Sequence, residues 1–169
     1  MVTFNKILGR LNEMEVVNRS IDVLFLEWFE AGKRIFRKKT VGNVEVIFKS
    51  VEGPVFLNEG DVIYIDEHKI IVIEIVPCEV ISILPQSAFE IASLSYEIGN
   101  KHAPLFIEND SLLIPFELPL FRSLEKQGYV VSKENKKLLY PLKTSVSAHL
   151  HSEGQSLFSK IMRVKKNES

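Results

Sequence analysis

Cysteine is almost missing from this chain. One residue in 169, Cys78, carries a thiol, which excludes an internal disulfide framework and leaves zinc patterns built on paired cysteines without ligands. Such a chain fits the cytosol. Long apolar runs are missing too. No stretch approaches the roughly 20 apolar residues needed to cross a bilayer, and the opening MVTFNKILGR lacks the apolar core of a signal peptide. The expectation is a soluble, cytoplasmic protein with no membrane partner. An excess of one charge is absent as well: 21 Lys and Arg stand against 22 Asp and Glu, a formal net charge of -1. No global field draws the chain to nucleic acid or an anionic membrane, so any charge-driven binding must be local. Finally, G-x-x-x-x-G-K-[ST], G-x-S-x-G and H-E-x-x-H do not occur, and the acidic residues are dispersed. Nothing here points to an enzyme.

What is present is a globular composition, 46% hydrophobic and 25% charged, enough to bury a real core. Through residue 75 the chain alternates like short strands. VTFNKILG opens it, IDVLFLEWF follows, and KRIFRKK passes through a Gly42-Asn43 turn into VEVIFKS. DVIYID, EHK and IIVIEIV make a second hairpin, its arms rich in Val and Ile. This is an all-β domain, residues 1–75.

From residue 76 the pattern changes. CEVISIL reads as a strand, and PQSAFEIASLSYEIGN as a helix with Ser87 as N-cap, Glu90 completing a capping box and Gly99 as the stop. APLFIE and SLLIPF flank Asn109-Asp110 as a strand pair. Pro119 suits the first turn of a second helix, LPLFRSLEKQ, which Gly128 closes, and YVVSKENKKLLYPL supplies one or two last strands. Strand, helix, strand, strand, helix, strand is the ferredoxin-like βαββαβ order. The fold class is α+β: an all-β domain, a ferredoxin-like domain over residues 76–142, and a flexible C-terminal tail, residues 143–169, rich in Ser and small polar residues.

Four histidines are the chief candidates for chemistry. His68 sits in a hairpin turn and reads as a solvated turn residue. His149 and His151 form His-Leu-His, which in an extended segment puts both imidazoles on one side. They can pinch a metal, or stand as two exposed tail residues, since firm chelation takes more ligands than two. His102 follows a helix C-terminus, where an imidazolium interacts well with the helix dipole. Cys78 reads as a small core hydrophobe, with thiolate ligation as the other reading. The densest basic run is Lys33, Arg34, Arg37, Lys38 and Lys39. It is either the solvated face of an edge strand or a docking surface.

The string Gly99-Asn100-Lys101-His102, preceded by SYEI and followed by APLFIE, resembles the signature of the urease accessory protein E (UreE) family of nickel metallochaperones. LEWFEAGKRIFRKKT and LNEGDVIYIDEHKIIVIEI are similar to that family's N-terminal domain, so the likeness spans most of the chain. The resemblance implies delivery of Ni²⁺ to apo-urease by a homodimer, in which dimers can pair into tetramers. It implies that His102 binds nickel at the two-fold, with His151 and, less firmly, His149 completing the site. Zinc is the other metal this site suits. The implied partners are the urease accessory GTPase, UreG, and the urease maturation complex, with the first domain binding a partner and the second binding metal and dimerising. Many members end in long histidine-rich tails, whereas this tail has two, so one site per dimer is implied rather than storage of several ions.

Two other classes share the βαββαβ order. An RNA-binding module needs an aromatic and basic RNP1-like string on its third strand for base stacking, and SLLIPF offers no such string. A small acylphosphatase-like hydrolase needs an Arg in the loop after its first strand, and ILPQSAFE offers none.

Overall fold

The computed structural model describes residues 1–51 and 55–142. Its first half carries β1 (Val2–Phe4), β2 (Gly9–Arg10), β3 (Ser20–Leu26), β4 (Ile35–Lys39), β5 (Glu45–Lys49), β6 (Asp61–Ile65) and β7 (Lys69–Ile75). Its second half carries β8 (Cys78–Ile83), α1 (Ala88–Asn100), β9 (Phe106–Glu108), β10 (Ser111–Pro115), α2 (Leu118–Lys126) and β11 (Val131–Lys136).

The first half folds into two sheets, ordered β1-β5-β4 and β2-β6-β7-β3. The hairpins β4–β5 and β6–β7 follow the alternation in the sequence. The opening stretch VTFNKILG does not form one strand. It splits because β1 pairs parallel with β5 while β2 pairs with β6, so the chain crosses between sheets in the residues between. Alternation also decides what is buried. Phe36 and Phe48 point inward from paired positions, and Arg37, Lys39 and Lys49 point out. Phe48 is fully buried, with its ring centroid 4.7 Å from that of Phe4 and 5.2 Å from that of Phe36. Leu24, Ile71 and Ile73 of the second sheet close the same core.

One buried carboxylate ties the two sheets. Asp22 on β3 accepts hydrogen bonds from the Thr40 hydroxyl at 2.7 Å and the Gly42 N–H at 2.8 Å, both in the turn after β4. Gly42 is required there, since a Cβ would lie 2.7 Å from the Asp22 carboxylate. Burial opposes the charge on Asp22, but the bonds from Thr40 and Gly42, with Lys69 nearby, overcome it and hold the carboxyl below its ordinary value. A depressed carboxylate stabilises the fold above its unfolded pKa, and that stability is lost as pH falls through the lower folded value. Asp22→Ala is expected to cost about 2–3 kcal/mol at neutral pH, because it strands the buried Thr40 hydroxyl and takes the partner from the Gly42 N–H. The loss should shrink in acid; a denaturant series at several pH values checks both.

The second half is ferredoxin-like: the antiparallel sheet runs β11-β8-β10-β9, with one helix after β8 and one after β10. Ile81, Ile83, Leu112 and Ile114 pack against Leu94 and Ile98 of α1 and Leu120 and Leu124 of α2. Period-two alternation sends Val80 and Leu113 to the other face, where they pack with Phe106, Leu138 and Trp28. Val80, Phe106 and Leu113 are all buried. That is the face an RNA-binding module of this topology offers to bases, so the arrangement argues against that class. α1 begins as its sequence indicates, the Ser87 hydroxyl accepting the Glu90 N–H at 3.2 Å. The Glu90 carboxylate reaches back one residue further than a standard capping box, to the Gln86 N–H at 2.8 Å. Gly128, with φ of 88°, closes α2 as expected.

Candidate metal centre

The end of α1 differs from the sequence expectation. Gly99 does not stop the helix; it lies in the last turn, which runs on to Asn100. The left-handed residue that ends it is His102, with φ of 54°. Its N–H bonds to the Gly99 carbonyl at 3.0 Å and the Ala103 N–H to the Ile98 carbonyl at 3.3 Å, a complete Schellman closure. Ala103 then packs against the apolar cluster that contains Ile98, in keeping with the apolar contact that accompanies this motif. Glycine usually fills this position, since a side chain in the left-handed region costs about 1–2 kcal/mol. Here the neighbours hold a histidine in it.

The result is an exposed imidazole on a rigid stem. His102 lines a cleft of about 400 Å³ whose walls include Trp28, Pro104, Pro115, Glu117 and Leu120. Trp28 comes from the loop after β3, so both halves of the chain build this cleft. Its indole stands edge-on to the ring of Phe106, the centroids 6.0 Å apart. Nothing local marks this wall beyond a lone Trp; long-range packing puts it there. Glu117, at the N-cap of α2, makes no side-chain cap bond.

Among the described residues, no group of three or more His, Cys, Asp or Glu side chains converges as a metal site. Of the two described histidines, His68 and His102, only His102 lines this cleft. His149 and His151 lie outside the described residues. The chain leaves the described region close to the cleft, where the Leu142 N–H donates to the Leu105 carbonyl at 2.8 Å. His68 is an exposed turn residue whose carbonyl accepts from the Ser20 N–H and hydroxyl. Cys78 is half-buried beside Val80 and Phe106. Burial and the charge of Glu27 push its thiol pKa up, so it stays protonated and ligates poorly.

Comparison with known proteins finds matches along nearly the whole chain. Residues 4–76 match the UreE urease accessory protein N-terminal domain, and residues 78–156 match the UreE C-terminal domain. The urease accessory protein UreE of Flavobacterium johnsoniae is 46% identical over 162 residues, covering 96% of this chain and 98% of that one. The chain belongs to the UreE family of urease accessory proteins. The UreE of Acetivibrio thermocellus is 34% identical across 87% of this chain and 95% of its own length. That of Actinobacillus pleuropneumoniae is 37% identical across 82% and 76%. No α-helix among the described residues of this UreE chain is long and apolar enough to span a membrane.

Proposed function

We propose that this UreE chain is a nickel metallochaperone: a homodimer that holds Ni²⁺ between two copies of His102 and delivers it to apo-urease. The observation that carries the reading is the surface leading to His102. Phe89, Ala92, Tyr96 and Gly99 follow one another at helical spacing along the exposed side of α1 and end at the histidine. Phe89 is 79% exposed and Tyr96 74%. A Cβ at Gly99 would meet open space, so nothing inside the chain demands glycine there. A bare helix turn beside two exposed rings suits the close approach of a second copy. A two-fold at that place sets one His102 against the other and turns one imidazole per chain into a pair.

Neutral imidazole suits Ni²⁺, and zinc accepts the same donors. Two imidazoles leave coordination positions open. His151 follows Leu142 by nine residues, an extended reach of roughly 30 Å, so it and His149 can close the shell or withdraw from it. Affinity then comes from several ligands, and release begins with the tethered ones. The cargo would pass to the urease maturation machinery, with the accessory GTPase UreG as the receiving partner in the cytoplasm. In this division, residues 1–75 dock partners and residues 76–142 dimerise and bind metal.

Tyr96→Glu tests the surface directly. It is expected to convert the dimer to monomers in sedimentation and to weaken Ni²⁺ binding, with a melting temperature close to the parent because the side chain is exposed. A variant that stays dimeric rules out α1 as the contact.

A further inference from the structure

We propose that residues 137–142 form a strap by which the first half of the chain holds the root of the histidine tail beside His102, with Lys137 as its positioning residue. The inference rests on the reading of His149 and His151 as closing ligands, and adds what sets their reach. After β11 the chain crosses back to the first half. The Lys137 ammonium donates to the Glu59 carboxylate at 2.7 Å and to the Glu74 carboxylate at 3.1 Å. Leu138 is fully buried on the far face of the ferredoxin-like sheet, in the cluster of Val80, Phe106 and Leu113. Leu139 packs on the core of the first half, and the Arg10 guanidinium lies 5.7 Å over the ring of Tyr140. Successive residues therefore grip both halves. Tyr140 takes the left-handed conformation, with φ of 56°, which a tyrosine adopts only where its surroundings hold it. Two residues on, the Leu142 N–H donates to the Leu105 carbonyl at 2.8 Å, three residues from His102.

These contacts differ in what they supply. A surface ion pair alone contributes little, so burial of Leu138 gives most of the hold. Lys137 adds direction, its cation set between two carboxylates of the first half, and Leu142 fixes the far end. Where the root is fixed decides how often a tail histidine meets the metal. Counted from Leu142, His151 stands nine residues along; counted from Lys136, with the strap loose, it stands fifteen. The effective concentration of a tethered ligand falls roughly as the minus three-halves power of tether length, about twofold here for each tail and about fourfold for the two tails of a dimer. A loose root also gives up its bearing toward His102. Release of Ni²⁺ begins with the tail ligands, so it quickens by the same factor. The first half thereby governs metal retention without touching the metal, and displacement of the strap from Glu59 and Glu74 becomes a trigger for release.

The test follows transfer of Ni²⁺ from the full-length dimer to a chromophoric chelator. Lys137→Glu sets a third carboxylate beside Glu59 and Glu74, and Leu142→Pro removes the N–H that bonds to Leu105. Together they are expected to speed release about two- to fourfold, whereas Lys137→Arg, which keeps a cation between the two carboxylates, leaves the rate at the parent value. In a dimer carrying His149→Ala and His151→Ala, itself faster than the parent, the same pair of substitutions should add nothing, because no tail ligand is left to position. Should the pair fail to fold, Lys137→Gln takes its place with the same expected signs. Parent rates in the strap variant beside faster release from the tail variant, or equal acceleration with and without the tail histidines, overturn the strap and leave the closing ligands standing. Parent rates after His149→Ala with His151→Ala overturn both.

Discussion

His102→Ala is expected to lower Ni²⁺ affinity by more than about 100-fold while leaving the fold in place. Even removal of an outer-shell partner of a metal ligand costs roughly 10- to 100-fold, and this substitution deletes a direct ligand from both chains of the proposed dimer. The stability side follows from exposure and backbone. The imidazole is exposed, so its loss changes stability by about 0.5 kcal/mol or less. His102→Gly sharpens the point. At φ of 54°, glycine relieves the left-handed strain, so this variant should melt higher by about 1 kcal/mol of stability and still lose the metal. Stability and binding then move in opposite directions, which a purely structural histidine cannot produce. Calorimetric titration with Ni²⁺ beside thermal melts of both variants makes the comparison, and undiminished tight binding by either removes His102 from the site.

Phe48→Ala is expected to have the largest effect on stability, a loss of about 3–5 kcal/mol. Phe48 is fully buried, and its ring packs, tilted, against those of Phe4 and Phe36, which also meet edge-on. It is also the inward residue of the middle strand in a three-stranded sheet, so the cavity opens where the small sheet meets the larger one. The ferredoxin-like half keeps its own core around Ile81, Leu94 and Leu124. If the two halves fold as separate units, the variant should unfold in two steps, the first half early, and should bind Ni²⁺ nearly as tightly as the parent. A single coincident transition with loss of metal binding would mean that the Trp28 contact to Phe106 fuses the halves into one cooperative unit.

Much of this fold is legible in the residues because it rests on local rules. Alternation gives the hairpins β4–β5 and β6–β7, and Ser87, Pro119 and Gly128 mark helix ends whose hydrogen bonds lie within a few residues. The parallel pairings β1–β5 and β3–β7 join strands more than forty residues apart, and nothing local in either strand names its partner. Gly99 misled for a physical reason. Glycine is the usual left-handed cap, but the chain spends that conformation on His102 three residues later and leaves Gly99 as bare helix surface. His102 itself was visible through its resemblance to the family signature. The cleft beside it was not, because Trp28 is brought there from the other half of the chain.

The central claim is that two chains share one nickel through paired His102 imidazoles, and the most direct measurement is X-ray absorption at the nickel edge on the loaded dimer of known stoichiometry. One Ni²⁺ per two chains is predicted, with a nitrogen and oxygen first shell and the multiple-scattering signature of imidazole, which His102→Ala should abolish. One Ni²⁺ held by each separate chain, or a shell without imidazole, would contradict it.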